Sequence, residues 1–183
     1  MHHKKNESYS LFSRDLLRLN VGQNSLNEIP SQALGPLKNL NQLDLSFNKI
    51  KDIKEDTFTG KYLCNRYEND VYGILGMEKL DTLNLNHNKI EALLDNHFEG
   101  MPKVTSLSLD YNKISDIAPD AFNGLEGKKC LKSPDCLEKC QIVSEQLQFL
   151  SLAANKISFV PTSALRPLHQ LNTLHLNDNN ITR

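Results

Sequence analysis

The chain has 183 residues, of which 39% are hydrophobic, and its 21 basic and 22 acidic side chains leave a formal charge of −1. The length suffices for a real core, built either as one globular domain or as a repeat array. The charge balance argues against a nucleic-acid or anionic-membrane surface, which needs a basic excess. No apolar run approaches the roughly 18–20 residues that cross a bilayer.

In chain order, the start (MHHKKNESYSLF) carries positive charge without an apolar stretch behind it, so it is not a signal peptide as written. Residues 1–15 are expected to be disordered or a partial repeat, and His2 and His3 are too few for a tag or metal site. From residue 16 one frame recurs: LLRLNVGQNSL (16–26), LNQLDLSFNKI (40–50), LDTLNLNHNKI (80–90), VTSLSLDYNKI (104–114), LQFLSLAANKI (147–157) and LNTLHLNDNNI (171–181). All six fit L-x-x-L-x-L-x-x-N-x-L with aliphatic swaps only, and self-similarity at a fixed period marks a repeat architecture.

Elementary physics accounts for the spelling. Leu43 and Leu45 alternate, so both face one side of a short strand while Asp44 faces the other. The same holds for the pairs Leu83/Leu85, Leu107/Leu109, Leu150/Leu152 and Leu174/Leu176. Stacking the strands in parallel joins the leucines into one core. Asn24, Asn48, Asn88, Asn112, Asn155 and Asn179 fall where the chain turns inward after each strand. A buried turn strands backbone N–H and C=O groups. An inward amide has donors and an acceptor for its own turn and for its neighbour, so these residues are expected to form a structural asparagine ladder.

The second half of each unit is regular too: IPSQALGPL (29–37), IAPDAFNGL (117–125) and VPTSALRPL (160–168), with IKEDTFTG (53–60) and LLDNHFEGM (93–101) placing Phe at the packing site. With the six frames, this resembles the roughly 24-residue "typical" leucine-rich repeat of Toll-like receptors, Slit, chaoptin and small matrix proteoglycans. The resemblance implies an α/β-type solenoid, a right-handed horseshoe with a parallel sheet on its concave face and irregular, 3-10 or short helical convex segments. It also implies an extracellular or cell-surface setting, a cytoplasmic one being the alternative.

The asparagine spacings are 24, 40, 24, 43 and 24, so two units carry extra residues, about 61–76 and 127–144. All four cysteines, Cys64, Cys130, Cys136 and Cys140, lie in these insertions. Their C-x5-C-x3-C spacing has no accompanying His and is not a zinc pattern, and a disulfide within 130–140 requires an oxidising compartment. Two origins stand open. The insertions are either convex surface loops or intron sequence read through, since both begin Gly-Lys, which GGT-AAR codons would write around a splice donor. Removing 61–76 joins FTG to MEKL, which matches HFEGMPKV at 97–104.

The concave side is the expected binding face of a solenoid. The position before each asparagine reads Gln23, Phe47, His87, Tyr111, Ala154 and Asp178, so three consecutive repeats put Phe47, His87 and Tyr111 in one column. Beside them run Ser46, Asn86 and Asp110, then Asp44, Asn84 and Ser108. Aromatics among short polar side chains have the composition of a protein-contact patch. The competing account is that these residues merely cover a sheet, because Phe and Tyr favour strands. The lysines after the asparagines, Lys49, Lys89, Lys113 and Lys156, read as a solubilising edge.

No catalytic set assembles: the histidines fall in different columns, the concave serines have no adjacent base, and the leucine-filled interior leaves no cavity for chemistry. No cofactor is expected. Asn6 and Asn180 begin N-x-S/T sequons, open to glycosylation on a secretory route. Neither end shows a cysteine-bearing cap, and Leu174, Leu176 and Ile181 await a following coil. The expectation is therefore a piece of a longer extracellular protein, non-enzymatic, that binds a protein ligand or receptor partner on its concave face. Nucleic acid and direct membrane contact are not expected. A cytosolic scaffold or regulatory subunit is the alternative.

Overall fold

The computed structural model describes residues 15–54, 57–58, 62–64, 71–73, 77–125, 128–133, 136–142 and 147–182. Coil after coil, the second Leu of the frame sits in a three-residue strand. In chain order the strands are β1 (Arg18–Asn20), β2 (Gln42–Asp44), β3 (Tyr62–Cys64), β4 (Val71–Gly73), β5 (Thr82–Asn84), β6 (Ala92–Leu93), β7 (Ser106–Ser108), β8 (Asp116–Ile117), β9 (Lys128–Ser133), β10 (Cys136–Ile142), β11 (Phe149–Ser151) and β12 (Thr173–His175). Six of them form one sheet in the order β1-β2-β5-β7-β11-β12. Every pairing is parallel, and the register aligns Leu19, Leu43, Leu83, Leu107, Leu150 and Leu174. A one-residue slip would turn all these leucines to solvent, so burial fixes the register.

The interior follows from that alignment. Leu43, Leu45, Leu83, Leu85, Leu107, Leu109, Leu150 and Leu152 are all at most 1% exposed. Leu19, Val21 and Leu26 in the first described coil, and Leu171, Leu174, Leu176 and Ile181 in the last, pack on the same core but are only partly buried. Opposite the sheet, Phe58, Phe98 and Phe122 stack through the middle coils with ring centroids 6.4 and 5.9 Å apart.

The convex segments differ by sequence. Where Pro precedes the Ala-Leu pair, one helical turn forms: α1 (Ser31–Leu34) after Pro30 and α2 (Thr162–Leu165) after Pro161. The proline ring presets φ near −77° and the missing N–H is no loss in a first turn. The middle coils instead run through turns, with β6 and β8 pairing in parallel. Gly124 adopts φ +94°, and a Cβ there would come within 2.6 Å of the Phe98 carbonyl oxygen, so only glycine permits that coil-to-coil contact.

Both insertions contain an antiparallel strand pair, β3 with β4 and β9 with β10, and neither joins the six-stranded sheet. Cys130 and Cys140 are register partners in the second pair.

Candidate partner-binding face

The turn that follows each strand is held from both sides. Asn112 shows the pattern: its Nδ2 donates to the carbonyls of Leu109 and Asp110 in its own turn and of Leu85 in the preceding coil, at 3.0–3.2 Å. Its Oδ1 accepts the Ile90 N–H at 3.1 Å. Asn48, Asn88, Asn155 and Asn179 repeat it, with Leu26, Ile50, Ile114 and Ile157 as the donors to their Oδ1. Five of the six asparagines therefore bond both their own turn and a neighbouring coil. Asn24 departs from this pattern: it is exposed, and among the described residues its amide bonds Val21 and Gly22 of its own turn.

The residue just before each ladder asparagine adopts a left-handed backbone in all six coils: Gln23, Phe47, His87, Tyr111, Ala154 and Asp178 have φ between 53 and 57°. That conformation costs a non-glycine residue roughly 1–2 kcal/mol. It persists because the surrounding bonds over-determine it. The N–H groups of Phe47, His87 and Tyr111 donate to Asn86, Asp110 and Ala153 carbonyls of the next coil at 2.8–3.0 Å.

These turns lift the aromatic side chains onto the rim of the concave face. Phe47 and His87 stack with centroids 4.1 Å apart and planes 11° from parallel, and His87 and Tyr111 stack at 4.3 Å and 6°. The imidazole is thus sandwiched between two rings, while Phe47 is 49% and Tyr111 56% exposed. Strand preference does not explain aromatics at a left-handed turn, where strand propensity has no bearing.

The polar residues beside the column have internal duties. Asp44 Oδ1 accepts the Ser46 N–H, and Asn84 Oδ1 the Asn86 N–H, at 2.9 and 3.0 Å. Asn86 Oδ1 reaches the next coil and accepts the Asp110 N–H at 2.7 Å. Asp110 Oδ1 accepts the Ala153 N–H at 2.8 Å and the Ser151 hydroxyl at 2.5 Å. Asp44, Asn84 and Asn86 therefore brace the turns that carry the rings, Asp110 braces the following turn at Ala154, and Ser46 is buried.

One sequence expectation is corrected. Ser151 does have a base beside it: its Oγ lies 3.4 Å from His175 Nδ1. The set does not make a nucleophile. Ser151 is 1% exposed, and the carboxylate of Asp110 binds the serine rather than orienting the imidazole, which reverses the order a charge-stabilised triad needs. His175 also meets Phe149 edge-on at 5.3 Å. This second aromatic pair escaped the column reading because it stands at outward strand positions, β11 and β12; reading those positions coil by coil finds it.

Asn180 is exposed, and its sequon lies in the final described turn, whereas Asn6 lies outside the described residues. Among the described residues no group of three or more His, Cys, Asp or Glu converges as metal ligands, and no helix is long and apolar enough to cross a membrane.

The leucine rich repeat family model matches residues 14–61 and 76–128, more than half of the chain. The chain belongs to the leucine-rich-repeat family. Similarity to solved leucine-rich-repeat structures agrees. A TLR13 chain, from a crystal structure of the TLR13–ssRNA13 complex, superposes with a TM-score of 0.72 at 29% identity, over 96% of this chain and 20% of that one. A leucine-rich-repeat protein of Leptospira interrogans gives 0.63 at 24% identity, over 92% and 33%. A chain of the octameric complex of Latrophilin 3, Unc5D and FLRT2, in which FLRT2 contributes the leucine-rich repeats, gives 0.65 at 20% identity, over 91% and 40%. This chain thus spans a fifth to two-fifths of the length of these structures. No curated protein sequence is significantly similar to it.

Proposed function

We propose that this leucine-rich-repeat solenoid is a non-catalytic protein-binding module of a cell-surface receptor, adhesion or matrix protein. On this reading residues 16–183 are one solenoid of six repeats with two insertions, and the partner sits on the concave rim. The observation that carries it is the exposed stack of Phe47, His87 and Tyr111, held out on three strained turns. Burial would stabilise these rings more than exposure does, at about 25 cal/mol per Å2 of apolar surface. Three aligned coils instead leave them exposed, and exposed aromatics of this kind anchor protein interfaces.

The extracellular setting is supported by the 24-residue, Pro- and Phe-containing spelling and by the likeness to TLR13. A protein partner is favoured over a phosphate-bearing one because the strand and turn positions carry Asp44, Asp110 and Asp178 against Arg18. The test is photocrosslinking from a benzophenone residue in place of Gln23, exposed and next to Phe47 in the column, on a protein displayed to intact cells, followed by titration of the purified partner. Phe47→Ala and Tyr111→Ala should each weaken that partner by about tenfold or more, the loss typical of a hot-spot residue, with a stability loss no larger than the roughly 0.5–1.5 kcal/mol of one ring stack. A stability loss well beyond that, with the loss of binding following it, would mark the rings as packing residues and end the proposal.

A further inference from the structure

We infer that the open end of the aromatic column is a socket for an arginine side chain of a protein partner, the guanidinium lying on the outer face of Tyr111, over Ala154, and pairing with Asp178. This rests on the concave rim being the partner-binding face and says what that rim recognises. The rings stack along the solenoid, one per coil, so His87 covers one face of Tyr111 and the other face turns toward the next coil. There the same turn position, with the same backbone, is Ala154 (φ 53° against 55° at Tyr111). A methyl group where the three preceding coils carry rings leaves one layer of the column unfilled, and Tyr111 is 56% exposed beside it.

One coil further on, the turn position is Asp178, exposed, with Oδ2 accepting a bond from Asn177 Nδ2 at 2.7 Å. Neighbouring strands stand about 4.8 Å apart, so Tyr111 and Asp178 are roughly two such steps apart with Ala154 as the floor between them. The other end of the column has no such acid: Phe47 faces Gln23, a longer neutral side chain. Asp110 is the more committed acid, because its Oδ1 accepts two bonds from the next coil, from the Ser151 hydroxyl and the Ala153 N–H, whereas the bond to Asp178 Oδ2 comes from its own neighbour Asn177.

The walls select the occupant. A flat ring face, a gap one planar group thick and a carboxylate beyond it fit a guanidinium, which stacks on aromatic faces and is drawn to carboxylate charge. A lysine ammonium matches the charge but does not fill a planar layer. A nucleobase is planar, but it would bring phosphates beside Asp110 and Asp178.

The probes are acetyl-triarginine amide, acetyl-trilysine amide and a uridine hexanucleotide, titrated into the whole protein with the Ala154 methyl and Tyr111 ring followed by NMR. The arginine peptide should move both signals saturably and bind at least about threefold more tightly than the lysine peptide, whose ammonium makes a cation–π contact but no planar stack. Asp178→Asn, at an exposed site, should weaken it severalfold. Ala154→Phe should abolish the Tyr111 response, with circular dichroism confirming the fold, since an aromatic is accommodated at this turn in the second coil. Equal response to both peptides, no movement of Ala154 at millimolar peptide, or a stronger response to the hexanucleotide each overturns the socket. A cross-linked partner weakened by Phe47→Ala but indifferent to Asp178→Asn would leave the binding face standing and remove only the socket. Arginine binding at Ala154 with no partner contacting Phe47 would do the reverse.

Discussion

Two neighbouring positions in every coil obey opposite rules. The ladder position is asparagine six times out of six, whereas the residue before it is Gln, Phe, His, Tyr, Ala and Asp in turn. Both sit in the same turn and both are constrained, one by burial and the other by a positive φ. The difference lies in what the backbone asks of the side chain. At the ladder the side chain must satisfy buried N–H and C=O groups of two coils, and asparagine alone does this at that reach. At the preceding residue the strain is met by main-chain bonds to the next coil, so the side chain is free to serve the surface. Repetition therefore marks structure here, and variation at a strained position marks the candidate site.

The largest effect should come from breaking the ladder where it is buried. Asn112→Ala strands the Ile90 N–H and removes one of two bonds from each of three carbonyls, which keep those from Asn88, Asn155 and the His87 N–H. It should destabilise the protein by about 2–4 kcal/mol, the cost of stranding one buried N–H and losing three further bonds in a network. Asn24→Ala, at the exposed rung, should cost less than about 1 kcal/mol because water replaces the lost bonds. Urea unfolding followed by circular dichroism measures both, with an unchanged m-value showing that the same cooperative unit is reporting. Equal losses at the two positions would mean that the asparagines act through turn propensity and not through buried bonds.

A smaller effect separates strain from stacking at the neighbouring position. Ala154→Gly relieves a positive φ without removing any ring, and should stabilise by about 0.5–1 kcal/mol net of the glycine's unfolded-state entropy. Tyr111→Gly relieves the same strain but removes the stack on His87, worth about 0.5–1.5 kcal/mol, so it should show no gain. The thermal midpoints of the two variants provide the check. A gain at both positions would deny the stack any part in stability.

Much of this was legible in the sequence. Six frames with one spelling predict the parallel sheet, its leucine register and the inward amides, because each is a local pattern whose physical demand recurs every coil. The Phe47–His87–Tyr111 column was legible as a list of residues but not as a stack on left-handed turns, since φ is decided by bonds to the following coil. The sequence does not show Ser151 and His175 as neighbours, because they are 24 residues apart and meet only through the β11–β12 register. Asn24 was read as a full rung because its spelling matches the others, while burial depends on what stacks against it.

The smallest effect tests whether charge can join coils as the ladder does. Glu28 of the first coil accepts a hydrogen bond from Lys54 of the second, both side chains being about two-thirds exposed. The bond from Lys54, then its charge, holds the Glu28 carboxyl below its ordinary 4.5, and the bond from Glu28, then its charge, raises Lys54 above 10.5. The glutamate's contribution is therefore present above pH 4.5 and lost as pH falls through its lowered folded-state value. The lysine's is present below pH 10.5 and lost as pH rises through its raised one. Between those limits the pair is intact, yet water and salt screen it, and exposed pairs contribute little. Lys54→Met should leave the thermal midpoint at pH 7 within experimental error, in low salt and in 1 M salt alike. A clear, salt-sensitive drop would show that an exposed ion pair adds to the leucine core, the parallel sheet and the buried amides in holding neighbouring coils together.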